Sequence, residues 1–271
     1  MNYTVTFATY NCLDYTRQCL DSLLKSGTRP EQIVVVDNGS TDGTREFLQT
    51  APVGQVILNR DNLSCGAAWD QGILARQSEW TFVMNNDIVV TDGFAERLID
   101  YAMTHNLRVV SPARIDGKLD YDFDAFANQA QHKMSNVVRQ PSANLICLLV
   151  HWSVFMEIGF FRVTPKLLGF EDGIFFHDLR KAGVAHAITG KVWIHHFGSV
   201  TQEYMKMAQG IPSRDVLVKV KDRQLLNQSW LERKLYRHSL KSSLQKWRRE
   251  ELANHQMTLH GVREKHEFTW L

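Results

Sequence analysis

The stretch QIVVVDNGSTDGT at residues 32–44 restricts the fold more than any other. From Ile33 to Val36 its β-branched residues run on without polar alternation, the pattern of a strand covered on both faces, as in a parallel sheet. The run ends in Asp37-Asn38-Gly39-Ser40-Thr41-Asp42-Gly43, a polar turn at the strand's carboxyl end. Around it the chain alternates as a doubly wound sheet does. A strand is expected at residues 3–8 and a helix at 15–26, with Leu20, Leu23 and Leu24 inward and Gly27 stopping it; a second helix follows at 44–50 and a short strand at 56–58. Open sheets of this kind take ligands in the crevice outside the strand carboxyl ends.

The remaining bounds are permissive. A chain of 271 residues holds one large α/β domain or a domain with an extension. Hydrophobic content of 44%, charged content of 22% and a net charge of +2 exclude a disordered chain and give no reason to expect a nucleic-acid partner. Cys12, Cys19, Cys65 and Cys147 show no C-x-x-C spacing, so neither a zinc cluster nor a disulfide framework is expected, and a reducing cytoplasm is the simplest setting. The opening MNYTVTFATYN lacks the layout of a signal peptide and reads as a first strand. The apolar run at residues 145–150 is too short for a membrane span.

Several loops at the ligand edge carry candidate chemistry. A buried strand from Trp80 delivers Asn85, Asn86 and Asp87 at its end, either as a metal and nucleotide site or as an Asx-rich turn. No G-x-G-x-x-G follows the first strand, which argues against an NAD enzyme. Asp37 then either accepts hydrogen bonds from a nucleoside or caps a helix. Arg60 lies in a loop where a guanidinium can pair with phosphate or stay solvated. A small-residue helix at 63–77, with Gly66 and Gly72, admits close approach by a ligand or by the sheet.

Taken in order, the Tyr10-Asn11 turn, VVVDNGSTDGT, NLSCGAAWDQGI and VMNNDIVV resemble the nucleotide-binding half of family 2 inverting glycosyltransferases with the GT-A fold. Rhamnosyltransferase-like members of polysaccharide assembly are the nearest in pattern, and the resemblance runs over residues 3–201. It implies an α/β fold with a mostly parallel central sheet flanked by helices. It further implies that Thr9, Tyr10, Asn11 and Asp37 hold the nucleoside of a UDP- or dTDP-linked sugar, with Tyr10 stacking on the base. The family's Asp-X-Asp motif falls on Asn85-Asn86-Asp87. Asp87 is then an anionic ligand for Mn²⁺ or Mg²⁺, and the amides of Asn85 and Asn86 serve the sugar nucleotide.

In the second half a helix is expected at 94–105 and a strand at 108–111. Residues 115–140 show no sustained period and read as loop-rich, either a flap or a surface insertion. Another strand follows at 144–151. Glu171 and Asp172 then open a helix at 173–182, where acids suit the helix dipole and also suit proton removal from an acceptor. The resemblance implies that Asp172 is the general base, with Glu171 beside the acceptor as second choice, and that Asp178-Leu179-Arg180 is structural. After a short strand at 192–194, His195 and His196 must point to opposite sides of the chain. The resemblance implies one histidine at the metal or diphosphate, followed by a Ser or Thr on a phosphate-binding loop; spacing favours His196, with His195 as fallback.

The expected organisation is a catalytic domain at 1–205, with a nucleotide-sugar half (1–111) and an acceptor half (112–205), followed by a basic helical extension at 206–271 beginning near Pro212. In that extension Leu225, Trp230, Leu231, Leu235, Leu240, Leu244 and Trp247 recur at helical intervals among lysines and arginines. Such a helix packs on the catalytic domain or lies on an anionic membrane. The whole reads as a metal-dependent glycosyltransferase for surface polysaccharide. Its acceptor would be a glycan or lipid-linked glycan, and its place the cytoplasm or the inner face of the plasma membrane. The rivals are a sugar nucleotidyltransferase, though no glycine-rich basic loop follows the first strand, and a non-catalytic glycan- or partner-binding module, suggested by Asn85 in place of a carboxylate.

Overall fold

The computed structural model describes residues 1–163, 170–198, 204, 226 and 228–271. Its centre is strand β1 (Tyr3–Thr9), which pairs in parallel with β2 (Ile33–Asp37) on one side and β4 (Trp80–Asn85) on the other. All of β2 is buried, as its unbroken β-branched run requires. β3 (Gln55–Leu58) extends the parallel set beyond β2. On the other flank β8 (Cys147–His151) runs antiparallel between β4 and β6 (Val109–Gly117). β9 (His186–His196) lies parallel to β6 and antiparallel to two short strands, β5 (Ile88–Val90) and β7 (Val138–Arg139). Most of the paired length is parallel.

Alternation within the strands feeds two cores. Val5, Phe7, Phe82 and Met84 face α1 (Leu13–Lys25), α2 (Thr44–Thr50) and α4 (Phe94–Thr104). Val83, Leu148 and Val150 face α3 (Cys65–Ala75), α6 (Trp152–Ile158) and α7 (Glu171–Lys181). The small residues of α3 serve this packing: a Cβ at Gly72 would stand 1.8 Å from Thr6 Oγ1 on β1.

Two expectations need correction. Residues 115–140 are not a loop. β6 runs through Gly117, and α5 (Phe123–Met134) follows, capped by Asp122, whose carboxylate accepts from Ala125 N at 2.9 Å. Its buried stripe is Phe123, Ala127, Ala130 and Met134, a helical period diluted by alanines and flanking polar residues. Nor is the C-terminal segment helical throughout. After α8 (Trp230–His255) come β10 (His260–Glu264) and β11 (Glu267–Trp270), a hairpin that joins the same sheet, with β10 parallel to β6. Its turn residues Lys265 (φ 49°) and His266 (φ 65°) are both left-handed. A two-residue turn of that kind normally advertises itself with Asn-Gly, and here it does not. Pro212, Leu225, Ser199 and Thr201 lie outside the described residues, so the expected boundary and phosphate loop do too.

α8 is fastened at its carboxyl end. Arg139 on β7 forms a bidentate pair with Glu251, at 2.7 and 2.8 Å, and both side chains are only 5% exposed. Glu251 also accepts from Leu259 N at 2.8 Å, which fixes the chain entering β10. The structure therefore packs this helix on the rest of the fold through one face, while Trp230, Leu231, Leu235 and Leu244 are exposed. No helix among the described residues is long and apolar enough to cross a membrane.

Candidate functional site

The carboxyl ends of β1 and β4 open into a cavity of about 660 Å³. Its near wall holds Thr9, Tyr10, Asn85, Asn86, Asp87 and His196; its far wall holds Glu171 and Asp172 with the inner face of α8. The two sequence-distant groups line this one cavity.

The polar residues at the near wall are held from behind. Asn86 is buried and donates to Thr9 Oγ1 (3.3 Å) and Thr16 Oγ1 (3.0 Å), so its side chain is committed to the turn it touches. Asp87 is buried, and its Oδ1 lies 3.5 Å from His196 Nε2. Alternation along β9 gives the paired histidines different surroundings. His195 is a core residue: its ring nitrogens meet Tyr121 Oη at 3.0 Å and the Gly117 carbonyl at 3.1 Å. Burial pushes its pKa down to about 4. His196 faces the cavity.

Behind His196 stands a residue that sequence reading did not single out. Asp116 accepts from His196 Nδ1 at 2.9 Å and from His260 Nε2 at 2.7 Å, with Arg114 Nε 3.0 Å away. Burial opposes ionisation of Asp116, yet these donors hold its pKa well below the usual carboxylate range. For His196 burial likewise opposes the charge, but Asp116 and Asp87 outweigh it and raise the pKa to about 9. With Nδ1–H given to Asp116, Nε2 is the nitrogen left toward Asp87 and the cavity. It makes no hydrogen bond of ordinary geometry among the described residues. A hard or borderline cation fits between that nitrogen and the Asp87 carboxylate, in the place of the Nε2 proton. No cluster of three or more His, Cys, Asp or Glu suited to a metal occurs among the described residues.

Across the cavity, Glu171 is buried and packs on α3, where a Cβ at Gly66 would stand 3.0 Å from Glu171 Cγ. Gly66 therefore admits a side chain of the site. Asp172 is exposed in the first turn of α7, with Oδ1 accepting from Gly173 N at 2.6 Å.

Three candidates are placed differently from the residues around the cavity. The fully buried Asp37 carboxylate accepts from Gly39 N (3.3 Å) and Ser40 N (3.2 Å) and lies 3.5 Å from Arg45 Nε. Asn11 Oδ1 accepts from Thr41 N at 2.7 Å, and the Asn11 backbone N–H donates to Ser40 Oγ at 2.7 Å. Asn11 ties the β1 turn to the β2 turn, while Asp37 closes the β2 turn on itself, and neither lines the cavity. Arg60 is 95% exposed at its side chain, 3.8 Å from Asp61, and is also absent from the lining.

Residues 4–168 match Glycosyl transferase family 2. The chain belongs to that family. The match ends short of Glu171, so the far wall is not part of it. A solved structure, mannosyltransferase PcManGT from Pyrobaculum calidifontis in complex with GDP-Man and Mn²⁺, is similar at TM-score 0.53 and 16% identity, over 76% of this chain and 61% of that one. This family 2 chain thus spans about three fifths of that structure's length and shares its GT-A fold. No curated protein matches the sequence.

Proposed function

We propose that this family 2 protein is an inverting glycosyltransferase that moves a hexosyl or deoxyhexosyl group from a nucleoside-diphosphate sugar, UDP- or dTDP-linked, to a glycan or lipid-linked glycan in surface polysaccharide assembly. The observation that carries the reading is that Asp87, His196 and Asp172, brought from three distant parts of the sequence, line one cavity. Proximity of this kind converts a two-substrate reaction into an oriented displacement. The GDP-Man and Mn²⁺ of the similar structure support a sugar nucleotide and a divalent metal here.

In this reading Tyr10 stacks on the base, while Thr9, Asn85 and the pinned Asn86 line the path of the ribose and phosphates. Asn11 and Asp37 set the backbone of that wall. Asp87 and His196 would hold Mn²⁺ or Mg²⁺, and a bound cation supplies charge neutralisation to the departing diphosphate. Asp87 and His196 leave most of a cation's coordination positions to other groups, and in this reading the nucleotide's phosphates fill them, so that metal affinity depends on the nucleotide being present. Asp172 removes the proton of the acceptor hydroxyl as that oxygen attacks the anomeric carbon from the opposite face. Glu171, locked against Gly66, orients the acceptor. The exposed Trp230, Leu231 and Leu235 of α8, interleaved with Lys234 and other basic residues, support contact with an anionic membrane carrying the acceptor.

The test is Asp172→Asn. The variant is expected to fold and to bind Mn²⁺ with nucleotide as the parent does, and to lose transfer by at least about a hundredfold. Retention of full transfer would remove Asp172 from the role of base.

A further inference from the structure

On α7, Asp172, Phe176 and Arg180 stand at i, i+4 and i+8, and all three line the cavity. Facing them is a second stripe, Tyr236, Leu240, Ser243 and Trp247 of α8. The cavity therefore continues past the proposed base as a slot between two helices, with aromatic rings on both sides and a guanidinium at its far end.

Arg180 is the unusual member. Its guanidinium carbon lies 4.0 Å from the Tyr236 ring centroid, stacked on the ring. It is half-buried, and burial lowers its pKa. Among the described residues no carboxylate pairs with it. Titratable neighbours on and beside α7 have partners of their own: Asp178 pairs with Arg162 at 2.6 Å, His177 meets Gln228 at 2.8 Å, and His186 Nδ1 lies 2.9 Å from the Val184 carbonyl. Burying a cation without a counter-charge is costly. Stacking fixes the plane of the fork and leaves its N–H edges available for an oxyanion, which guanidinium matches in bidentate fashion. Eight residues of helix separate Arg180 from Asp172, about 12 Å along the axis. That is the reach of an acceptor sugar together with a group attached on its far side.

We propose that the slot between α7 and α8 is an acceptor subsite for an anionic glycan, in which Arg180 holds a phosphate or carboxylate borne by the acceptor while its sugar lies between Phe176 and the α8 stripe. The proposal rests on the assignment of Asp172 as the base. Arg180 is here a substrate-binding residue, not a metal or donor ligand.

The test titrates the full chain with glucose 1-phosphate, glucuronic acid and methyl glucoside, with and without UDP and Mn²⁺ to fill the donor end. At least one charged probe is expected to bind at least about tenfold more tightly than methyl glucoside, the equivalent of about 1.4 kcal/mol. Preference for glucose 1-phosphate identifies phosphate as the ligand, and preference for glucuronic acid identifies carboxylate. Arg180→Gln is expected to abolish the difference, and Arg180→Lys to retain part of it, since lysine keeps the charge and loses the fork. If Arg180→Gln lowers the melting temperature, Arg180→Met, which keeps an apolar stem on Tyr236, carries the test. Equal binding of charged and neutral probes, no binding of either charged probe, or a preference that survives loss of Arg180 would overturn the subsite. So would weakened UDP binding in Arg180→Gln, because the arginine would then serve the donor. UDP and GDP titrations with Mn²⁺ report on the donor end by themselves: charge discrimination without nucleotide binding leaves the subsite standing and refutes the donor reading.

Discussion

Neutralising Glu251 should loosen the wall of the acceptor slot without touching it. Glu251→Gln keeps the volume and an acceptor for Leu259 N, but leaves the Arg139 guanidinium nine-tenths buried without its anion. Breaking a buried pair by removing one partner costs about 3 to 5 kcal/mol, most of it the stranded charge. For a chain of this size that corresponds to a fall of about 6 °C or more in melting temperature. The assay is thermal unfolding followed by circular dichroism, with urea unfolding as a second measure. Arg139→Met combined with Glu251→Gln should recover most of the loss, because no charge is left buried. Nucleotide binding at the near wall should change little, whereas acceptor-dependent transfer should fall with α8 displaced. A Glu251→Gln protein within about 1 kcal/mol of the parent, the scale of an exposed pair, would refute the claim that this ion pair fastens the helix.

Asp116→Asn should weaken Mn²⁺-dependent nucleotide binding by roughly 10- to 100-fold, measured calorimetrically, because His196 loses the carboxylate that orients it; unchanged affinity would separate Asp116 from the metal. In metal-free protein, His196 carries a pKa raised to about 9. Its contribution of roughly 3 kcal/mol is therefore fully present below about pH 6.5 and lost as pH rises through about 9. Urea unfolding across that range should show the decline, and His196→Gln should remove it. Gly72→Ala should destabilise by about 1 to 3 kcal/mol in the same assay, since the new methyl meets Thr6 on β1; a neutral result would mean that α3 can shift.

What the sequence disclosed follows from the range of each interaction. The β2 run, the strand ending at Asn85 and the acids opening α7 are local patterns, and each element lies where its period and polarity place it, to within a residue or two at most boundaries. His196 was separable from His195 only by spacing, and alternation along β9 explains the outcome. Asp116 and His260 carry no local mark, because their contact spans 144 residues of sequence and a hairpin whose turn lacks glycine. Arg180 reads from the sequence as a structural residue of the Asp178-Leu179-Arg180 stretch; only the arrival of Tyr236 from α8 distinguishes it from a surface arginine. Asp37 and Asn11 lie in the expected turns, but Asp37 commits its carboxylate to its own turn and Asn11 bonds to the neighbouring one, which residue type alone does not indicate.

The way α8 is mounted has an evolutionary consequence. It is anchored near one end by Glu251 and touches the cavity through a single stripe, while much of its remaining surface is exposed. Exchanges at Tyr236, Ser239, Leu240 and Ser243 therefore alter the slot at little expense to the core, which lies elsewhere. If the proposed acceptor slot and donor site hold, a lineage can retune its acceptor by drifting along one helix face while the residues on β1, β4 and β9 stay fixed.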